Sequence, residues 1–345
     1  MTNQAYDWAE IAEFFQNNVY RNYANEQTSI LNQWYPVTAN TANDNFYYWW
    51  QAHVIDVLVD GWERSGDSKY LEKINHLAHG LKAYNGNTFR HNYYDDMEWT
   101  ALALLRVYDH TGDEWYKHEV MDLWTDIRTA WNDNMGGGMA WKKDQLDYKN
   151  TPANAPASIL AARLYTRFGS EDDLAWAIRI YEWNRENLVD PATGFVWDGM
   201  NRLGDGAIDR DWEFTYCQGV FIGAGLELFA ITQDNRYLRD AKRTAQASME
   251  RFVDPVTGLL PDEGIDDTGL FKGIFVRYIK LLIDRSPEDT QEWANILQRN
   301  GERLWSFDKD PAAAIIGPSW DKKPEGPVQL SVQLSGLMLV EALAR

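Results

Sequence analysis

Residues 214–231, FTYCQGVFIGAGLELFAI, form a run that is apolar along most of its length. A helix whose side chains are apolar on every face must be buried, so this run predicts an inner helix. The run that follows, Tyr237–Phe252, mixes polar and apolar residues and predicts an amphipathic helix. Together the two runs indicate a buried helix that is followed along the chain by a helix that covers it.

This alternation repeats through the chain. Inner helices are predicted at residues 46–65, 95–111, 156–168, 214–231, 273–283 and 330–343, and amphipathic helices at residues 6–23, 69–81, 114–130, 174–188, 237–252 and 288–305. Such a repeat of buried and covering helices predicts an all-α fold, the (α/α)6 double toroid. Long runs of the alternating pattern that is typical of β-strands are scarce.

The last predicted helix, Leu330–Leu343, is apolar. This favours a closed ring over an open helical solenoid, because a solenoid would need polar capping repeats at its ends. In a closed ring the first helix, an outer one, covers the last inner helix. No linker or low-complexity tract divides the 345 residues. We therefore expect a single toroid domain over residues 1–345.

The composition limits the classes of partner. A formal net charge of −19 disfavours nucleic acid, anionic membranes and polyanionic sugars. The 17 Trp and 18 Tyr residues suit a neutral oligosaccharide or polysaccharide, because aromatic faces stack on sugar rings, although most of these residues are expected to serve packing. The one cysteine, Cys217, permits neither an intrachain disulfide nor a zinc site built from several thiolates.

The N-terminal sequence lacks the basic and apolar regions of a secretory signal, and no run approaches the length of a membrane span. We therefore expect a cytoplasmic monomer, or an extracellular protein if a signal has been removed. The loops before the predicted inner helices are long and rich in Gly, Asn, Asp and aromatic residues, whereas the opposite loops are short. This asymmetry predicts one functional face, because a rigid scaffold positions functional loops.

Two adjacent carboxylates, Asp95 and Asp96, stand just before an apolar helical run. Capping of that helix would explain them on structural grounds alone. Tyr93, Tyr94 and Trp99 surround the pair, however, and loss of water together with a neighbouring like charge raises a carboxyl pKa. Glycoside hydrolysis needs two carboxyls in different protonation states. The pair could converge on one sugar if the backbone at this junction is not yet helical.

Further candidates for contacts with a sugar lie in or next to the long loops. Some have a structural alternative: capping for Asp44 and Asn45, loop packing for Trp141, Trp197 and Trp320, turn formation for Asp198 and charge balance for Lys272. The predicted substrate-binding residues are Asp44, Asn45, Tyr94, Trp99, Trp141, Asn154, Trp197, Asp198, Tyr216, Gln218, Lys272 and Trp320.

Several short motifs occur in a fixed order over most of the chain. They include YYDDMEW, GGGMAWKK, NTPANAPA, GFVWDG, FTYCQGVFIGA and LFKGIFVRYI. In these motifs the chain resembles glycoside hydrolase family 76, the endo-α-1,6-mannanase family. The resemblance implies an (α/α)6 toroid, no metal or cofactor, and retention of the anomeric configuration. It also implies that Asp95 is the nucleophile and Asp96 the general acid/base. Cys217 departs from the family motif TYNQG, which has Asn at that position.

Other functions stay open at this stage. A different α-glycosidase, an epimerase or an unsaturated-uronyl hydrolase could use the same toroid. An epimerase would need catalytic histidines in the inner ring, and a uronyl enzyme would favour a basic cleft. A non-catalytic carbohydrate-binding toroid would keep the tryptophans but would not need Asp95 and Asp96 together.

Overall fold

The structure, a computed structural model, describes residues 6–25, 27–38, 46–307 and 315–345, so the predicted sites Asp44 and Asn45 lie outside the described residues. Within those ranges there are twelve α-helices, which are α1 (Trp8–Tyr23), α2 (Tyr48–Ser65), α3 (Lys69–Tyr84), α4 (Tyr94–Thr111), α5 (Glu114–Ile127), α6 (Thr151–Phe168), α7 (Glu171–Leu188), α8 (Thr215–Thr232), α9 (Asn235–Phe252), α10 (Thr268–Arg285), α11 (Gln291–Phe307) and α12 (Leu330–Ala344).

The strands are short. They are β1 (Trp34–Tyr35), β2 (Ala140–Lys142), β3 (Gln145–Asn150), β4 (Gly199–Met200) and β5 (Val328–Gln329). Strands β2, β3 and β4 form an antiparallel sheet in that order, and β1 pairs antiparallel with β5. The sheet of three strands matters for function because β3 runs directly into α6 and Tyr93, the residue before α4, bridges to Lys142 of β2.

The chain divides into two compact units. The first unit takes its described residues from 1–88, 253–277 and 291–345, and the second from 89–252 and 278–290. In the second unit the buried helices α4, α6 and α8 pack side by side, and each also packs against the helix that follows it. Burial confirms the predicted alternation: α8 buries 13 of its 18 residues, whereas α9 buries 6 of 18.

The first unit shows the same two layers. Helices α2 and α12 pack together, with α3 against α2 and α1 against α12. Gln16 Nε2 of α1 donates to Glu341 Oε1 of α12 at 2.9 Å. The predicted covering of the last inner helix by the first helix is thereby confirmed.

Helix α8 has the length and composition of a membrane span, so the expectation that no run approaches that length was wrong. Its 18-residue window is 72% buried within the protein. Close contacts use this apolar surface: a Cβ on Gly223 would lie 2.4 Å from the Tyr278 ring. The uniform apolarity of α8 therefore reflects packing on all sides.

The predicted start of α6 at Pro156 was also wrong, because the helix begins at Thr151 and continues through Pro156. A proline normally removes one helical hydrogen bond and disfavours the helical conformation of the residue before it. Here residues 151–162 are buried without exception, so tertiary packing outweighs the local preference. Because the helix begins at Thr151, Asn154 lies in its first turn and a half and not in a loop.

Candidate active site

Asp95 and Asp96 occupy the first turn of α4, one and two residues after its first residue, Tyr94. The backbone is already helical there, which corrects the expectation of a non-helical junction. Neither aspartate is the N-cap; that position is Tyr93, which makes no side-chain capping bond. Both carboxyls nevertheless lie at the positive end of the helix dipole, which stabilises negative charge.

The two carboxyls contact different partners, as successive side chains on a helix point in different directions. The indole Nε1 of Trp141, in β2, donates to Asp95 Oδ2 at 3.1 Å. The other oxygen of Asp95 accepts the backbone N–H of Asp96 at 3.0 Å. Asp95 is 9% exposed, so it combines hydrogen-bond donors with limited access to water. Donors to a carboxylate favour its charged form.

Asp96 lies 3.1 Å from a histidine, measured from its Oδ2 to His91 Nδ1, and its side chain is 15% exposed. Burial raises the pKa of the Asp96 carboxyl above its usual value, while the hydrogen bond and charge of His91 act in the opposite direction. The chemical environments of the two neighbouring carboxyls therefore differ: an indole donor holds one, and burial favours the protonated form of the other.

A third carboxyl, Glu98, lies on the same helix and is fully buried. Neither of its oxygens hydrogen-bonds to another side chain among the described residues. Burial raises the pKa of Glu98 well above its usual value, and the charges of Asp95 and Asp96 add to this effect. Protonation of Glu98 would remove one negative charge from the neighbourhood of Asp95 and Asp96 and so reduce repulsion at the start of α4.

We expect the free energy of unfolding of Glu98→Gln to exceed that of the wild type. The difference between the two should grow as the pH rises. The folded protein retains the Glu98 proton above its unfolded pKa of about 4.5, so wild-type stability falls between that pH and the raised folded pKa. The difference should grow by about 1.4 kcal/mol per pH unit in that window and not below it. Urea unfolding at pH 4, 6 and 8 measures it.

The matched control is Glu186→Gln, which removes an exposed carboxyl from α7. It should show no comparable rise with pH. A constant difference between Glu98→Gln and wild type across the three pH values would contradict the buried, protonated Glu98.

Asp198 lies in the segment just before β4 and is 3% exposed. Its Oδ2 accepts the Tyr148 hydroxyl at 2.9 Å, and its Oδ1 accepts the Tyr216 hydroxyl at 3.3 Å and the Cys217 thiol at 3.4 Å. Burial raises the pKa of Asp198 to about 6, against the effect of these three donors. Asp198, Tyr216 and Cys217, far apart from Tyr148 in sequence, thus form one buried cluster with it.

Two predicted substrate-binding amides are engaged by the backbone. Asn154 is fully buried; its oxygen accepts Met139 N–H at 2.8 Å and its nitrogen donates to the carbonyls of Met139 and Asn150. Gln218 forms the same kind of paired contact with Val196, at 2.9 Å and 2.6 Å. Both amides therefore attach a loop to the start of an inner helix.

The aromatic candidates of the second unit differ in exposure. Tyr94 and Trp99 are buried, and the Tyr94 hydroxyl lies 3.1 Å from Thr129 Oγ1. Trp141 and Trp197 are half-buried. The Trp197 ring packs against Phe195, with 5.0 Å between ring centroids. Partial exposure leaves Trp141 and Trp197 the better placed of the four to stack on a sugar.

Lys272 and Trp320 belong to the first unit and contact each other, with Lys272 Nζ 4.2 Å from the ring centroid. Lys272 is 2% exposed and donates to the carbonyls of Pro261 and Pro318. Burial lowers the pKa of Lys272 to about 8. The ammonium group thus connects two loops within this unit.

Sequence reasoning did not select Glu98 or Tyr148. A charged residue within the apolar run of α4 was the available signal for Glu98. Tyr148 carried no such signal, because its contact with Asp198 depends on where β3 places it. The contact of His91 with Asp96 also emerges only from the structure.

The chain is similar to a known family and to several solved structures. The model of glycosyl hydrolase family 76 matches residues 6–344. The Lin0763 protein from Listeria innocua is 40% identical, with a TM-score of 0.93 over 98% of this chain and 97% of that one. An inactive variant of the alpha-1,6-mannanase GH76A of Salegentibacter sp. HEL1_6, with two consecutive aspartates replaced by asparagine and alpha-1,6-mannotriose bound, is 41% identical; its TM-score is 0.91 over 98% and 99% of the two chains.

The mannan endo-1,6-alpha-mannosidase DCW1 of Candida glabrata is 25% identical over 277 residues, which are 72% of this chain and 62% of that protein. The chain spans about three-fifths of the length of this relative and of its Saccharomyces cerevisiae counterpart. The match over nearly all described residues shows that the chain belongs to glycosyl hydrolase family 76. The predicted fold class, the (α/α)6 double toroid, is confirmed by the solved structures of that family.

Proposed function

We propose that this protein hydrolyses α-1,6-linked mannosides and retains the anomeric configuration. The observation that carries the proposal is the pair of adjacent carboxyls in the first turn of α4, held in different environments by Trp141 and His91. The inactive relative with two consecutive aspartates replaced, which binds alpha-1,6-mannotriose, supports the same assignment.

In the first step, the Asp95 carboxylate attacks the anomeric carbon and Asp96 gives its proton to the leaving glycosidic oxygen, which forms a mannosyl–enzyme ester. In the second step, Asp96 takes a proton from water, and this water displaces Asp95. The Trp141 indole favours the charged form of Asp95. Burial favours the protonated form of Asp96, the form that an acid requires at the start.

For binding, we propose that Trp141 and Trp197 supply aromatic faces to the sugar. Since the net charge is −19, an uncharged mannan or mannooligosaccharide fits better than a polyanion. The single domain, the monomeric state and the cytoplasmic location stay predictions from the sequence. So do the binding roles of Asp44, Asn45, Tyr94, Trp99, Asn154, Asp198, Tyr216, Gln218, Lys272 and Trp320.

Proton NMR of the wild-type protein with α-1,6-mannotetraose tests the activity, linkage and stereochemistry together. We expect the α-anomer of the reducing product to appear before mutarotation. A β-anomer appearing first would overturn retention. α-1,2- and α-1,3-linked mannotetraose are the linkage controls, and α-1,6-glucotetraose is the sugar control. Binding without turnover of the mannotetraose would instead favour the carbohydrate-binding toroid.

A further inference from the structure

The Asp198 cluster, defined as Asp198 with Tyr148, Tyr216 and Cys217, is not used by the two catalytic steps. Its carboxyl is buried, and the three side chains that donate to it are uncharged. Burying a carboxylate is costly unless hydrogen bonds compensate. Such a group persists where its bonds hold other side chains in a defined position.

The backbone on either side of Asp198 is held firmly. Its carbonyl accepts Thr151 N–H at 2.7 Å, and the Thr151 hydroxyl donates to the carbonyl of Trp197 at 2.7 Å. The next residue must be small: a Cβ on Gly199 would lie 2.5 Å from the Tyr148 hydroxyl oxygen. The Tyr148 side chain therefore packs directly against the backbone of Gly199, and its hydroxyl reaches the Asp198 carboxyl.

The cluster contacts the proposed nucleophile, Asp95, indirectly through Trp141. The Tyr148 ring packs edge-on against Trp141, with centroids 5.7 Å apart and planes at 90°. Trp141 is the residue whose indole donates to Asp95. On the second side, burial raises the pKa of Tyr216 well above its usual value, and the charges of Asp198 and Asp95 act in the same direction.

We propose, on the basis of the function proposed above, that Asp198 is a positioning residue that holds Tyr148, and through it Trp141, in the orientation that supports Asp95. Cys217 makes this support weaker than it would be with a stronger donor. A thiol is a weak donor, and its distance of 3.4 Å to Asp198 is long compared with the 2.9 Å of Tyr148. An amide or hydroxyl at position 217 would favour the charged form of Asp198 more strongly.

The cluster should therefore respond to pH. Asp198 has a pKa of about 6, and the groups that face it are Tyr148, Tyr216, Cys217 and Asp209, of which Asp209 raises that pKa further by its charge. Protonation removes acceptor capacity from the carboxyl, so the two tyrosines are held less firmly as the pH falls through this value. Part of the loss of activity on the acid side of the profile should come from this event.

The test compares Asp198→Asn, Tyr148→Phe and Cys217→Asn with the wild type, using kcat, KM and the pH profile on α-1,6-mannotetraose. Asp198→Asn should lower kcat by about 10- to 100-fold, the range found for residues that orient metal ligands through hydrogen bonds. Calorimetric Kd for α-1,6-mannotriose should change less than threefold. Tyr148→Phe should lower kcat in the same direction by less, and Cys217→Asn should move the acid limb to lower pH.

Asp190→Asn is the matched control, because the Asp190 carboxylate lies in the preceding turn and accepts the backbone N–H groups of Ala192 and Thr193. An unchanged kcat in both Asp198→Asn and Tyr148→Phe, with an active wild type, would overturn the inference and leave the proposed function standing. A large rise in Kd would also overturn it, because Asp198 would then bind sugar directly. An inactive wild type would instead refute the proposed function.

The Trp141 indole N–H resonance, assigned by its loss in Trp141→Phe, gives a readout that does not depend on turnover. We expect it to shift in Asp198→Asn and Tyr148→Phe and not in Asp190→Asn. An unshifted resonance in both cluster variants would contradict the positioning of Trp141 by Asp198 whatever the activity.

Discussion

Asp95→Ala is expected to lower kcat on α-1,6-mannotetraose by about 10⁴-fold, on the order of 5 kcal/mol of activation free energy. The variant lacks the carboxylate that forms the covalent bond in the proposed mechanism. The measurement is single-turnover release of mannooligosaccharide from wild type and variant. Asp190→Ala, in an exposed turn, is the control for a lost carboxylate elsewhere in the same unit.

Azide distinguishes the nucleophile from its neighbour. With 2,4-dinitrophenyl α-1,6-mannobioside, Asp95→Ala plus azide should give the β-mannobiosyl azide, because azide replaces the missing carboxylate in a single inverting displacement. Formation of the α-azide by this variant would assign the nucleophile to another residue. Full activity of Asp95→Ala without azide would contradict the mechanism itself.

Asp96→Ala is expected to lower kcat/KM on α-1,6-mannotetraose by about 10²- to 10⁴-fold, the usual contribution of a general acid. Burial raises the pKa of Asp96, so the wild-type rate should fall as the pH rises through that pKa and the acid loses its proton. The variant should lack this alkaline limb. The pH–rate profile measured with the same substrate decides the point: an unchanged limb in the variant would remove the role from Asp96.

Two further measurements on Asp96→Ala sharpen the assignment. The dinitrophenyl substrate needs no proton on its leaving group, so formation of the mannosyl–enzyme should remain fast, and azide should then give the α-azide. His91→Ala serves as the companion variant. Because the His91 contact lowers the pKa of Asp96, its removal should move the alkaline limb to higher pH. A shift to lower pH would contradict that contact.

Much of the helical layout could be predicted from local pattern. The stop at Gly112 after α4 and the uniform apolarity of α8 are properties of short segments, and both agree with the structure. The start of α6 could not be predicted, because burial of its whole N-terminal half outweighs the rule against Pro156. The start of α4 at Tyr94 lies one residue before the predicted start, and Tyr93, just before it, bridges to Lys142, a contact between distant residues.

The candidate site shows the same division. Asp95 and Asp96 were recognisable because they are adjacent carboxyls in an aromatic stretch of the sequence, and one contact, His91 with Asp96, is also local. Asn154 and Gln218 were expected to bind sugar, but their amides are taken up by backbone groups 15 and 22 residues away. Tyr148 was not selected, since the hydrogen bond that singles it out goes to Asp198, which lies 50 residues further along the chain.

The sequence by itself determined the alternation of buried and covering helices, the acidic surface and the adjacent aspartates, because each follows from the chemistry of residues close together in the chain. Only the tertiary structure decided which carboxyl meets Trp141, which meets His91 and which, Glu98, is fully buried. The physical reason is that a carboxyl pKa depends on the water, donors and charges within a few ångströms, and burial and the Trp141 donor come from segments distant in the sequence.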